Sequence, residues 1–288
     1  MERMMPNRSY EVRICHEPEM WEWNAHYGDW YEMIYVMGGE AAVQADGWRY
    51  RLRKGDLLLM SPDCLRRYIA LDVPVGTRTV IRIRERYLTA LSDGGIDLRL
   101  CFARDDRGRC FCLHADEEQN PGLPGRITAL EAECCSTAYG APLLANGIFL
   151  QLMVELNRLA VRTAAHTEYD CIDPEYADGP GALTSAVLST IISQYHTDLT
   201  LEMLASIHQA DKNRLSANFR RDIGLPVLRC ITSYRLMQTC RMLSDGYTAG
   251  EACMQTGFGD YAGFFRAFKT EYGISPRAFA DSIQQAKE

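Results

Sequence analysis

The chain has 288 residues, 47% of them hydrophobic and 24% charged, with a formal net charge of −7. That mix excludes a disordered or fibrous chain, and the length favours two domains over one. No apolar run reaches the ~18 residues needed to cross a bilayer, and Met1–Arg8 holds no apolar stretch for a secretory signal, so an intracellular protein is expected.

Charge is unevenly spread. Residues 1–180 hold 20 Lys and Arg against 28 Asp and Glu, whereas 181–288 hold 11 against 10. An acidic whole argues against indiscriminate nucleic-acid binding, but a C-terminal third near neutrality can still gather its cations on one face. The 11 cysteines are scattered, with no Cys-x-x-Cys pair. A disulfide framework belongs to short secreted chains and is not expected here. Cys110-x-Cys112 and Cys134-Cys135 are candidates for soft-metal binding or oxidant sensing; the plainer reading is small buried apolar side chains.

The first hundred residues read as strands. Trp30–Met37 is aromatic and β-branched and stops at Gly38-Gly39. Ala41–Ala45, Trp48–Leu52, Leu57–Met60 and Thr77–Arg84 follow, separated by Gly, Asp or Pro. Short strands at this spacing predict a small barrel or sandwich. In Thr77–Arg84, Val80, Ile81 and Ile83 mix with Arg78, Arg82 and Arg84, which the pattern reads as a solvated face. Two helices are expected next, over 125–138 and 142–163. Phe149, Leu152, Met153, Leu156, Leu159 and Ala160 make a stripe at helical spacing, widened by Ile148, Leu150 and Val154. Either the second helix packs only on the barrel, or it also packs on its twin in a homodimer. His166–Gly181 is acidic and ends in Gly-Pro-Gly, the composition of a linker. The expected units are therefore 1–122, 123–165, a linker at 166–181, and 182–288.

From Ala182 onward the pattern is helical throughout. Leu199–Ala205 is a short helix that Thr200 can cap, with Met203 and Leu204 pointing inward. After a short turn, Asp211 caps a second helix anchored by Leu215 and Phe219, which leaves Asn213, Arg214, Ser216, Ala217 and Arg220 outside. The design repeats. Ala249–Thr256 is followed by a turn at Gly257-Phe258, then a helix capped by Asp260 and anchored by Phe264 and Phe268. Each pair describes a helix-turn-helix. Between them, Pro226–Ser244 predicts a rod of roughly 28 Å at ~1.5 Å per residue, a length that can set two recognition helices along one face of a duplex whose turn is ~34 Å.

These residues strongly resemble the AraC/XylS family of bacterial transcription regulators. The signature is Gly257-Phe258, Asp260, Phe264, Arg266, Phe268-Lys269 and Tyr272-Gly273 with Ser275-Pro276, supported by Leu215-Ser216, Phe219-Arg220, Gly224, Arg235-Leu236 and Met242-Leu243. The likeness runs from Leu183 to Phe279. It implies base contacts from Asn213, Ser216, Ala217, Tyr261, Ala262, Phe265 and Arg266, and phosphate contacts from Lys212, Arg220, Arg221 and Lys269. The chain departs from the family at Ala217, where Arg is usual, at Gln209, where Gly is usual, at Ala249 and Ala252, where larger aliphatics stand, and at Phe279-Ala280, where Tyr-Arg is usual. The absent arginine removes a guanine contact worth ~1–3 kcal/mol of discrimination, which leaves more of the reading to the second unit. For the cations the bland reading is an exposed charge, as with Arg221 beside Asp222 or Lys269 near Glu271.

The N-terminal half resembles the cupin-like sensor barrels of such regulators. His26 to Glu32 followed by Ile34 to Gly39 is similar to the first cupin motif, and Arg53 to Pro62 to the second. Metal-binding cupins place further histidines where this chain has Gly28 and Arg66, so His26 and Glu32 alone fall short of three ligands. The expectation is a ligand pocket with Arg66 at its mouth, built from His26, Trp30, Glu32, Arg66 and Tyr68, suited to a small polar molecule. His26 is equally well read as a structural histidine. No nucleophile–His–acid set and no phosphate-cradling Gly loop is present, and His16, His114, His166, His196 and His208 have no catalytic context.

The sequence thus predicts an α+β multidomain chain, with a cupin-like N-terminal β-barrel with helices and an all-α C-terminal domain with two helix-turn-helix motifs. The expected role is sequence-specific DNA binding in response to a small-molecule effector, with no catalytic residues, metal or cofactor. The partners would be operator DNA, the effector, a second copy in a homodimer and, as a further possibility, RNA polymerase, with no membrane. The alternatives are a cupin-type metalloenzyme fused to a DNA-binding domain, and a ligand-independent regulator whose barrel is a dimerisation scaffold.

Overall fold

The structure, a computed structural model, describes residues 9–18, 22, 25–73, 76–115, 120–163 and 171–284. Met1–Arg8 and the first part of the expected linker, His166 included, lie outside the described residues. The N-terminal half is two antiparallel sheets. β1 (Tyr10–Cys15), β7 (Thr77–Arg84), β2 (Trp30–Gly38), β5 (Asp56–Met60) and β8 (Phe111–His114) lie in that order in the larger sheet; β4 (Trp48–Arg53), β3 (Glu40–Ala45) and β6 (Arg66–Ile69) form the smaller. A short helix, α1 (Glu85–Leu91), follows β7.

Alternation divides the large sheet into two faces. Met33, Tyr35, Ile81 and Ile83 face α2 (Leu123–Cys135) and α3 (Ala141–Thr163), against Ile127, Leu130, Phe149, Leu152 and Leu156. Ile34, Val36, Leu58 and Met60 turn the other way and meet Val43 and Leu52 of the small sheet in the barrel lumen. Arg78, Arg82 and Arg84 share that second face. They are not the solvated face that their charge suggests: they are 0%, 4% and 7% exposed. The physical reason is pairing, since carboxylates in place of water meet two of them, Glu22 and Glu32 at Arg82 and Asp29 at Arg84.

The cysteines correct a second expectation. Cys112 of β8 and Cys171 are joined by a disulfide across 59 residues. Cys171 and Ile172 extend the edge of the small sheet, the Arg51 N–H donating to the Cys171 carbonyl at 2.8 Å. The chain then stays on the barrel, with Tyr176 under the Arg49 guanidinium at 3.6 Å, until it enters α4 (Ala182–Gln194).

The C-terminal third is wholly helical among its described residues: α5 (Leu201–Ile207), α6 (Lys212–Ile223), α7 (Val227–Ser244), α8 (Ala249–Gln255), α9 (Tyr261–Tyr272) and α10 (Pro276–Gln284) follow α4. Thr200, Asp211 and Asp260 accept hydrogen bonds from the backbones of Met203, Arg214 and Gly263, capping α5, α6 and α9 as their sequence positions imply. Thr248 and Glu251 close a reciprocal capping box on α8. Helix α7 is buried on nearly all sides because it serves two cores. Ile231, Tyr234 and Met237 join Leu204, Leu215 and Phe219 in one, while Leu236, Cys240 and Leu243 join Ala252, Phe264 and Phe268 in the other. Of the α5 pair expected inside, Leu204 is buried but Met203 is exposed, lying one residue off the inward face.

The two inter-helix turns solve the same problem differently. Gly257 sits at φ +82, and a Cβ there would lie 2.8 Å from the carbonyl oxygens of Tyr195 and His196. At the equivalent point of the first unit, Gln209 holds φ +49, a conformation that disfavours residues with a Cβ. Gln209→Gly is therefore expected to stabilise the domain by about 0.5–1 kcal/mol, and Gly257→Ala to destabilise it by more than about 2 kcal/mol. Urea unfolding of the two variants checks both signs.

Candidate functional site

Two regions carry the candidate residues. The first is the outer surface of α6 and α9. On α6, Leu215, Phe219 and Ile223 face inward, which leaves Asn213 and Ala217 exposed and Ser216 half-buried. On α9, Phe264 and Phe268 are fully buried, Tyr261, Ala262 and Arg266 are exposed, and Phe265 is half-buried. Among the cations, Arg220 and Lys269 are exposed. Lys212 is paired with Glu202, and Arg221 donates to Asp222 at 2.8 Å. Glu271, which sequence proximity sets beside Lys269, instead accepts from Arg229 at 2.6 Å. Arg235 fixes the second unit against α4, donating to the carbonyls of Tyr195 at 2.8 Å and Thr197 at 2.7 Å.

The second region is the charged end of the barrel lumen. His26, Trp30, Glu32, Arg66 and Tyr68 are all buried, and Arg66, at 2% exposed, lies inside the barrel and not at its mouth. His26 and Arg66 exchange backbone hydrogen bonds of 3.0 and 2.9 Å. The Trp30 indole N–H donates to Glu32 at 3.0 Å, and Arg66 donates to the Trp30 carbonyl at 3.3 Å. Glu32 accepts from Arg82 at 2.9 Å, and Arg82 reaches Glu22 at 2.6 Å. Burial alone would raise the Glu32 pKa, but the charges of Arg66 and Arg82, with hydrogen bonds from Arg82 and Trp30, outweigh it and bring it down to about 2. Burial likewise opposes the charge on Arg82, yet Glu32 and Glu22 hold that guanidinium above its ordinary range. Tyr68 is tied to a residue that the sequence pattern assigns to solvent, since Arg78 Nε donates to its hydroxyl at 2.8 Å. Strict alternation along β7 is the signal that would have put Arg78, Arg82 and Arg84 on the Val80 face and hence in the lumen. Among the described residues, no group of three or more His, Cys, Asp or Glu is placed to hold a metal ion, and no helix is long and apolar enough to cross a membrane.

The two regions touch. Tyr27 of the barrel packs edge-on to Tyr234 of α7 at 4.9 Å between ring centres, and its hydroxyl lies 3.4 Å from Cys230 Sγ. Gln44 of β3 donates to the Asp222 carbonyl, in the last turn of α6, at 2.7 Å, and accepts from Arg67 Nε at 2.8 Å. Gly224, at the end of α6, is packed against the Arg67 guanidinium so closely that a Cβ would lie 2.7 Å from it. A cation at a helix C-terminus is favourably placed against the helix dipole. Glu85 of α1 also pairs with Arg241 of α7. A cleft of about 290 Å³ is lined by Tyr31, Asp63, Phe102, Arg99 and Arg104, but its arginines are already matched, Arg99 by Asp97 and Glu85, Arg104 by Asp46 and Asp63.

Comparison with known proteins bears on both regions. Residues 11–153 match the family model of the AraC-like ligand binding domain, and residues 204–282 match that of a helix-turn-helix domain. Proteins described as AraC-like transcription regulators from Streptomyces lividans and Streptomyces antibioticus are 23% identical over 167 residues and 24% over 156, covering 56% and 52% of this chain and 52% and 48% of theirs. The chain thus spans about half the length of the curated relatives it matches. Among solved structures, it aligns with unsaturated fatty acid bound ToxT from Vibrio cholerae at 12% identity and TM-score 0.42, over 98% of each chain. It also aligns with the DNA-binding domain of AdpA in complex with a target DNA at 21% identity and TM-score 0.35, over 36% of this chain and 96% of that one.

The buried network makes the barrel acid-sensitive. The folded pKa of Glu32 lies near 2 against an ordinary 4.5, so its stabilisation is complete above about pH 4.5 and is lost as pH falls through about 2. Of the order of 3 kcal/mol should disappear across that window. Glu32→Gln, which strands Arg82 and Arg66 beside a neutral amide, is expected to cost roughly 3–5 kcal/mol at pH 7, read as a lowered midpoint in urea unfolding. The same variant should flatten the acid limb of the stability profile.

Proposed function

Because the chain belongs to the AraC/XylS family of transcription regulators, we infer that it binds double-stranded DNA sequence-specifically and regulates transcription in response to a small molecule held by its barrel. The observation that carries this reading is the paired geometry of α6 and α9. Each is the capped second helix of a helix-turn-helix with small, polar or aromatic residues outward, and both are seated on α7, whose 18 residues give a spine of about 27 Å. That separation suits recognition helices entering successive major-groove segments on one face of a duplex. Arg266 is the residue best suited to a bidentate guanine contact and Asn213 to adenine, with Tyr261 and Phe265 placed for thymine methyls. Lys212, Arg220, Arg221 and Lys269 are assigned to phosphates, Lys212 exchanging its exposed Glu202 partner, and Arg221 its half-buried Asp222 partner, for the DNA backbone. We read the role as regulatory, with no catalysis by the chain itself, and the setting as intracellular, where DNA and RNA polymerase are available as partners.

Homodimerisation is part of the proposal. One side of α3 packs on the barrel, but Leu143 and Val161 are 78% and 64% exposed, and with Leu150 they recur at helical spacing on the other side. An apolar stripe of this kind is what a second copy of the same helix would cover. The contacts among Tyr27, Tyr234, Gln44, Arg67 and the end of α6 favour a mechanism in which the effector alters how the DNA-binding domain sits on the barrel. To do so it must bind one arrangement more tightly than the other, so its affinity should differ with and without operator DNA in calorimetry.

Selection of binding sites from random duplex DNA at near-physiological salt tests the central claim. A defined motif is expected, and Arg266→Ala should relax it at one base pair at a cost of about 1–3 kcal/mol. Lys269→Ala should instead weaken binding evenly across sequences and flatten the salt dependence. Absence of any motif for the wild type, with or without cell extract, would overturn the DNA-reading role. For the dimer, Leu143→Asp with Leu150→Asp should shift the sedimentation of the purified chain from dimer towards monomer without loss of helicity.

A further inference from the structure

Among the described residues, one lumenal guanidinium has no carboxylate partner. Arg78 is 0% exposed, its Nε donates to the Tyr68 hydroxyl at 2.8 Å, and its Nη1 and Nη2 have no hydrogen-bond partner. Its neighbours on the same strand show what a matched arginine looks like here: Arg82 has Glu32 and Glu22, and Arg84 has Asp29. No carboxylate among the described residues pairs with Arg78, and its cross-strand neighbours are Cys15 and Val36. The Tyr68 ring lies 4.6 Å from the guanidinium carbon, so one face of the cation is covered by an aromatic and the end bearing both Nη atoms is left over.

An unpaired buried cation is costly unless something supplies the counter-charge. Two adjacent Nη donors in one plane present the end-on fork that a carboxylate matches bidentately. Resting on the reading of the barrel as an effector site, we propose that Arg78 is the anchor for an anionic effector carrying a carboxylate, which completes the lumen's charge balance. The rest of such a molecule would meet the apolar part of the lumen, where Val36, Val43 and Leu52 lie. The requirement is a compact organic monoanion with an apolar body. A neutral polyol would leave both Nη groups unmet in charge, and a dianion would overfill a site with one cation to spare.

The test uses the purified full-length chain and two matched probe series: formate, acetate, propionate and benzoate, and the corresponding amides. Thermal unfolding and calorimetry are the readouts, at constant ionic strength and pH. Carboxylates, most strongly those with the larger apolar body, should raise the melting temperature saturably, and amides of the same skeleton should not. Arg78→Met should retain the wild-type circular dichroism spectrum and unfold at an equal or higher temperature without ligand, while losing at least tenfold in carboxylate affinity. Arg78→Lys, which keeps the charge but not the fork, should weaken carboxylate binding and still prefer carboxylate to amide. Equal binding of carboxylates by wild type and Arg78→Met would overturn the assignment, as would no shift from any carboxylate. Amides binding as well as carboxylates would overturn the anionic class yet leave the barrel an effector site. Should Arg78→Met not fold, Arg78→Lys and the carboxylate–amide contrast in the wild type decide the question.

Discussion

The barrel depends on how four guanidinium groups are kept inside it. Arg66, Arg78, Arg82 and Arg84 are all less than a tenth exposed, and moving such ions out of water costs several kcal/mol each unless partners replace the solvent. Glu32 is the hub of that replacement. It takes a hydrogen bond from Arg82 and another from the Trp30 indole, and lies 3.9 Å from Arg66. Glu22, outside any strand, completes the arrangement from the opposite side of Arg82. A network of this kind adds little net stability compared with a well-packed apolar core, but each member becomes expensive to lose. It also sets the arginines in the same lumen as the apolar Ile34, Val36, Leu52 and Leu58, with Val36 directly across from Arg78.

In the C-terminal domain the corresponding constraint is α7. Its residues alternate between two cores roughly every turn, Ile231 and Tyr234 to one, Leu236 and Cys240 to the other, so neither helix-turn-helix can shift without disturbing the helix that supports both. The buried Thr239–Thr256 contact of 3.2 Å pins the second unit to it, and Arg235 ties α7 to the end of α4. The spacing of α6 and α9 is therefore set within the domain. The seat of the whole domain on the barrel is a separate set of contacts, made by Tyr27, Gln44, Arg67 and the Glu85–Arg241 pair.

The legible parts of this fold were those where one side chain has one job. Asp211 and Asp260 precede apolar-periodic runs and cap them; Phe264 and Phe268, four apart, are buried as their spacing requires. Strands β2 to β5 and β7 were legible for the same reason. β1, β6 and β8 were not, because Tyr10–Cys15 and Arg66–Ile69 mix charge with apolar residues on an edge, and Phe111–His114 is too short to show a period. The arginines of β7 were misplaced because a charge on a strand normally marks solvent, and only the distant Glu22, Glu32 and Asp29 reverse that rule. The Cys112–Cys171 pairing had no signal in spacing at all; it exists because 171–173 returns to the barrel edge. The candidate residues of the barrel are all buried, but the place of Arg66 inside it and the commitment of Tyr68 to Arg78 needed three-dimensional neighbours.

Strand β6 is one of the elements that join the two halves. Its alternation sends Arg66 and Tyr68 into the lumen and Arg67 outward, where Arg67 meets Gln44 and the end of α6. Among the named strands it pairs only with β3, and its other edge is held by backbone hydrogen bonds from Arg66 to His26 and from Tyr68 to Glu22. Burial, reinforced by the neighbouring Arg49, already draws the Arg67 pKa below its ordinary range, so the outward contact with α6 is held by a cation with little solvent to fall back on. A group that drew the Arg78 guanidinium away from the Tyr68 hydroxyl would loosen a side-chain tie between β6 and the large sheet. The change would reach Arg67, and through it Gly224 and Gln44. Strand β6 thus carries one lumenal guanidinium, Arg66, on one face and one contact with the end of α6, Arg67, on the other.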